Sequence, residues 1–237
     1  MMLDRLRYEM RLLGKPVLLT PVLVVIGFAL LLAIVNRDVT IVARSMSGSL
    51  EVLLPVAAGV IVATIVTYDR AIEVQLTMPR RYHRTASLRF LLILLWSAIV
   101  SLLTSLLLYL FNYRRLPAQI VHWSQPWQFL AWQLTWLSST LWLVAFGLVL
   151  SLLIRSRSAS GALLCVFAVA ELLFHSTMDR EAIYHPIYLF PLTFSPDASY
   201  WLLNRFELLG TAAVLFVLAW GLLRLPERLL SHAPGEE

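Results

Sequence analysis

Six apolar runs constrain this chain more than any other feature, at residues 17–35, 50–68, 90–111, 127–154, 159–174 and 206–223. A bilayer's hydrocarbon core is about 30 Å thick, and a helix rising about 1.5 Å per residue crosses it in roughly 20 residues. Five of the runs meet that length or come close. The fifth, 159–174, is short and carries Glu171 near its end. The third has no charge in its interior, and the fourth is long enough to tilt or to lie partly in the interface. Composition agrees with the runs: 59% of the 237 residues are hydrophobic and 14% are charged. Soluble proteins carry about 25% charged residues. The expected fold class is therefore an all-α integral membrane protein, a single transmembrane domain over 1–237.

The ends and loops add detail. Leu3, Leu6, Met10 and Leu13 recur at helical steps, while Asp4, Arg5, Arg7, Glu9 and Arg11 fill the opposite face. Residues 2–14 thus read as an amphipathic helix lying in the membrane interface, ended by Lys15-Pro16. No short hydrophobic core followed by a small-residue cleavage site is evident there, so no cleavable signal peptide is expected.

Of the 19 basic residues, thirteen fall on one side of the spans if the N-terminus is cytoplasmic, and six fall on the other: Arg37, Arg44, Arg114, Arg115, Arg180 and Arg205. The positive-inside bias places both termini in the cytoplasm of a multi-pass cell-membrane protein. The net charge of +5 then serves orientation and anionic headgroups, not nucleic acid. The segment 175–205 holds Pro186, Pro191 and Pro196 among Tyr184, Tyr188, Phe190, Phe194, Tyr200 and Trp201. It is too proline-broken to span and too apolar to float in water. It reads as a re-entrant or interfacial loop over the extracytoplasmic end.

Catalytic patterns are weak. His83, His122, His175, His185 and His232 fall in expected loops or tails, without the i, i+4 pairing of a buried metal or haem site. His175 and His185 flank Asp179 and Glu181, which an ordinary loop cluster explains. The single cysteine, Cys165, cannot form an intrachain disulfide and reads as a small packing residue. Ser158-Ala159-Ser160-Gly161 is similar to the serine motif of rhomboid-type intramembrane proteases, but it lacks the preceding glycine and an intramembrane histidine to activate the serine. A phosphate-cradling loop needs G-x4-G-K-[ST]. Gly14-Lys15 is flanked by Glu9 and Pro16 where glycine and a hydroxyl are required. No cofactor is expected on this chain, and ATP, if used, belongs to a partner.

Two features remain as candidates for a translocation path. Glu171 is an acid within a span, where burial costs several kcal/mol unless it is paired; an arginine of the 175–205 loop is one available partner. Trp123 and Trp127 fit an interfacial aromatic belt. Trp132 and Trp136, four residues apart on one helix face, either touch lipid, the simpler reading, or line a cavity.

The segment 69–89 is the most specific signal. It reads Asp69-Arg70-Ala71-Ile72-Glu73-Val74-Gln75-Leu76-Thr77-Met78-Pro79-Arg80-Arg81, then continues through Arg84 to Arg89. Glu73 stands six residues before Pro79, and Arg89 ten after it. This pattern resembles the loop between the second and third spans of ABC-2-type transporter permeases. Glu73, Leu76, Pro79 and Arg89 take family positions, Asp69 stands for the upstream acid, and Arg70 replaces the usual glycine. The six spans, the interfacial helix and the proline-aromatic loop before the last span extend the resemblance along nearly the whole chain.

The resemblance implies a non-enzymatic permease subunit of an exporter, paired with a second copy or a sister permease in the lipid bilayer and with a dimer of ATPase subunits. It also implies that 69–89 is a cytoplasmic coupling loop. Asp69, Arg70, Glu73, Leu76, Pro79, Arg80, Arg81 and Arg89 would then form the docking set. Orientation alone is the other reading of these arginines, but it does not call for Glu73 and Pro79 at that spacing. A membrane-anchor or cofactor-holding subunit of an enzyme complex is the alternative class. An integral membrane enzyme acting on lipids is a third. It would want acids and histidines gathered at one membrane face, and only 175–185 comes near. An amphipathic lipid, a peptide or a drug would each suit the spans as substrate.

Overall fold

The computed structural model describes residues 2–35, 38–65, 82–154 and 156–224, and these are helical throughout apart from short connections. In chain order the helices are α1 (Met2–Val35), α2 (Val39–Glu51), α3 (Leu53–Ile65), α4 (Tyr82–Leu110), α5 (Gln125–Trp132), α6 (Leu134–Ile154), α7 (Arg157–Leu173), α8 (His175–Arg180), α9 (Pro191–Phe194) and α10 (Trp201–Leu223). Two 3-10 turns, Ala118–Ile120 and Ala182–Ile187, lie between them.

Five stretches are long and apolar enough to cross a membrane: Val17–Val35, Arg44–Thr64, Ser87–Leu110, Gln125–Ile154 and Trp201–Leu223. Ser158–Leu173 is apolar but shorter. Two expected boundaries shift. The second span begins six residues earlier than the hydropathy run, because the polar stretch Arg44-Ser45-Met46-Ser47-Gly48-Ser49 is helical and Ser47 and Ser49 turn inward. The last begins at Trp201, which brings Arg205 into the helix. Arg205 is therefore not a loop charge, and it leaves the count of basic residues outside the spans.

Local chemistry explains the breaks. Residues 2–14 are helical, but the interruption before the first span falls at Gly14, with φ 78° and ψ 159°, not at Lys15-Pro16. Only glycine adopts that backbone readily, and Pro16 then fits the opening turn of the next helical stretch. The long fourth run divides at Gln133 into α5 and α6, although Gln133 itself keeps helical dihedrals. Ser156 caps α7, its hydroxyl accepting from Ala159 N at 3.4 Å.

α6 is the central helix. In the span that contains it, 72% of the most apolar window is buried, against 17% in Val17–Val35 and 22% in Trp201–Leu223. A helix apolar on all faces belongs inside. α3 and α10 both pack on α6 with their starts brought together at Glu51, Arg205 and Ser138, so the three run in the same direction, and α7, after a short turn from α6, packs on α3 and α6. The approach of α3 to α6 is backbone to backbone. A Cβ on Gly147 would stand 2.6 Å from the Gly59 carbonyl oxygen, and one on Gly59 would stand 3.0 Å from that of Leu143. Small residues at such crossings are how helices associate in lipid, where tails are as apolar as side chains. Cys165, expected as a packing residue, is exposed on α7.

Candidate functional site

At the end of the bundle where α6 and α10 begin, the stretch from Ala182 to Ser195 folds back over and into the helices as a strap. Tyr188, Leu189 and Phe190 are fully buried, and Leu192 is 1% exposed. Residues 188–190 are not helical, so beyond the Tyr188 N–H, which reaches back to Tyr184 O at 3.0 Å, their N–H and C=O groups have no helical partners. Irregular backbone deep in an apolar bundle persists only where protein groups satisfy it. Here polar side chains from four helices do so.

Glu51, the last residue of α2, accepts at one oxygen from Leu192 N (3.0 Å) and at the other from Thr193 N (2.7 Å) and the Thr193 hydroxyl (2.6 Å). Glu171 of α7 accepts from Leu189 N at 3.0 Å. Ser139 of α6 donates to Leu189 O at 2.9 Å. Asn204 of α10 donates to His185 O (2.6 Å) and Tyr188 O (2.9 Å), and Thr211 donates to Pro186 O (3.0 Å).

Arg205 joins these contacts into one network. It and Glu51 are both fully buried, and they form an ion pair through Nη2 and Oε1. Its Nη1 faces Ser138 Oγ, Ser139 Oγ and Leu189 O at 3.1 Å each, and Thr135 O at 3.3 Å. The guanidinium also lies 5.6 Å from the centre of the Trp201 ring. One cation thus ties α2, α6, α10 and the strap together. A charge taken this far from water must be paired and hydrogen-bonded, and this one is.

The remaining strap contacts are aromatic. His175 stacks on Phe194 at 4.3 Å and His185 on Tyr200 at 3.8 Å. The two histidines that bracket the acids of this loop are held by separate rings and do not converge. Among the described residues no group of three His, Cys, Asp or Glu side chains could hold a metal ion. Tyr200 donates to Asp179, and burial together with that bond pushes its phenol above the usual range. Burial, reinforced by Glu51, raises Tyr188 as well. Both phenols stay protonated at neutral pH.

The candidate residues separate. Glu171 is fully buried under the strap and takes a backbone N–H instead of an arginine, while its Oε1 has no hydrogen-bond partner among the described residues. Arg205, its expected kind of partner, is bound to Glu51. Trp132 and Trp136 do not touch lipid: they are 2% and 6% exposed in a cluster with Leu50, Leu54, Ile120 and Trp201. Trp136 Nε1 donates to Gln133 Oε1 at 2.7 Å. Trp123 and Trp127 are exposed, as a belt requires. Of the docking set, Asp69, Arg70, Glu73, Leu76, Pro79, Arg80 and Arg81 lie outside the described residues. Arg89 stands in α4 and is 8% exposed.

Glu51 and Arg205 escaped the sequence reading because each sits at the edge of its hydropathy run. The available signal was an acid and a base at matching ends of the second and last runs.

The fold and its buried polar network define an all-helical protein whose long apolar helices suit a membrane-embedded bundle. No protein-family model, no curated protein and no solved structure matches the chain.

Proposed function

We propose that the chain is the permease subunit of an ATP-driven exporter of the ABC-2 type, with six spans, residues 2–14 in the membrane interface and both termini in the cytoplasm. Its ATP is bound by a separate ATPase pair, and a second permease copy or a sister permease completes the assembly. The observation that carries this reading is the spacing of Glu73, Pro79 and Arg89 in the segment joining the second and third spans. The helices on either side of it, α3 ending at Ile65 and α4 beginning at Tyr82, have those ends away from the strap.

The packing supplies a route for force. Closure of the ATPase pair pushes on the feet of α3 and α4. Because α3 meets α6 backbone to backbone at Gly59 and Gly147, it does not slide on α6 freely. The displacement reaches the other end, where Glu51 and Arg205 hold the strap down. Release of the strap then opens the extracytoplasmic side.

The test is whether a neighbouring reading frame encodes a P-loop ATPase and whether that ATPase co-purifies with this chain. Charge reversal by Glu73→Lys or Arg80→Glu should abolish recovery of the ATPase while membrane levels of the permease stay unchanged. An ATPase that stays bound, and is still stimulated, when residues 69–81 are scrambled would refute the docking role.

A further inference from the structure

At the end of the bundle opposite the strap, α4, α6 and α10 enclose an apolar groove of about 450 Å³. Leu148, 5% exposed, lies at its base. Phe90 and Phe216 meet edge to face with ring centres 5.4 Å apart. Leu91 and Val217 form the rim, 48% and 71% exposed. The groove is open on the face that the apolar helices present to their surroundings. Trp220 lines it one turn before Leu223, and the guanidinium of Arg224, an exposed residue just past α10, lies 5.2 Å from the Trp220 ring centre.

These features specify a ligand class. The volume falls in the ~300–1,000 Å³ range of small-molecule sites. The groove follows α10 from Phe216 to Leu223, about 10 Å at a helical rise of about 1.5 Å per residue. That is less than half of a hydrocarbon core about 30 Å thick, so the groove stays within one leaflet. Tryptophan beside a cation marks the headgroup level. Arginine binds phosphate oxygens through two parallel N–H donors.

A second groove, between α1 and α4, is smaller at about 210 Å³. Its tryptophan, Trp96, donates to Leu18 O at 2.8 Å. The larger groove combines a slot for a chain with the Arg224 charge for a headgroup.

We propose that this groove binds one anionic phospholipid per chain, an acyl chain lying against Phe90, Leu148 and Phe216 and the phosphate on Arg224. The site requires that the bundle lie in a bilayer and does not depend on any ATPase.

Native mass spectrometry of the full-length protein in detergent, titrated with phosphatidylglycerol or phosphatidylcholine of identical chains, tests it. Phosphatidylglycerol should bind at least tenfold more tightly. Arg224→Gln should erase that preference, and Val217→Trp should weaken both lipids at least tenfold. Both positions are exposed, so each variant should melt at the wild-type temperature, and Arg224→Gln alone decides the headgroup claim if the bulkier variant does not fold. Glycerol phosphate without chains should not compete. Equal affinity for the two lipids, a preference surviving in Arg224→Gln, or unchanged binding to Val217→Trp would each overturn the proposal. So would displacement by glycerol phosphate alone, or dimers that form only without lipid and are blocked by Val217→Trp.

Discussion

Glu51 and Arg205 each replace bulk water with several protein partners, which makes either one expensive to lose alone. Removing one member of a buried pair strands the other charge and costs about 3–5 kcal/mol, whereas exchanging both for apolar residues can be nearly neutral. Glu51→Leu and Arg205→Met should therefore each lower thermal stability in detergent sharply, while the double variant recovers part of the loss. The recovery is bounded, because Leu192 N and Thr193 N would still lack the carboxylate that the pair supplies. A double variant no more stable than the worse single one would show that the charges do not compensate each other. Glu171 differs in kind: it serves one backbone N–H and no cation, so its neutral isostere glutamine should be tolerated far better than Glu51→Gln.

Among the elements, α6 sets the tolerances, and its crossing with α3 is the tightest. Gly147→Ala places a methyl 2.6 Å from a backbone oxygen that has nowhere to go, an overpacking that costs about 1–3 kcal/mol. Gly27→Ala, in α1 with nothing within 4 Å of the new carbon, should leave the melting temperature unchanged or slightly raised. Equal melting of the two variants would mean that the crossing is looser than the structure shows.

The existence of the helices was legible in the sequence because apolar runs of membrane length have few other folds open to them. The edges were less legible. Ser47 and Ser49 lower the hydropathy of a helix that buries them, so the second span looked shorter and Glu51 looked terminal. The bend at Gly14 was assigned to the neighbouring proline because a positive φ leaves no periodic trace. Trp132 and Trp136 share a helix face in either environment, and only the packing of Leu192 and Trp201 against them decides that they are interior. The proline-aromatic character of 175–205 did indicate a segment covering one end, but which side chains hold its backbone depends on residues far away in sequence.

For the molecule as a whole, the proposed orientation is open to a direct measurement. In a Cys165→Ser background, a single cysteine at Arg180 should react with a membrane-impermeant maleimide on intact cells. One at His232 should react only after permeabilisation. The opposite pattern would invert the orientation and remove the cytoplasmic ATPase from the docking segment.

The Glu51–Arg205 pair also has a history built into it, because its members are 154 residues apart. At roughly 5–20 residues per second, translation takes roughly 8–30 s to deliver the arginine after the glutamate has been made. Until then the glutamate belongs to a half-made bundle, and the strap has no complete seat. Whether the earlier helices can be sealed therefore waits on α10. A ribosome that stops after α7 leaves behind an acid without its cation, so a chain cut short there carries at Glu51 the same uncompensated charge as a chain that has lost Arg205.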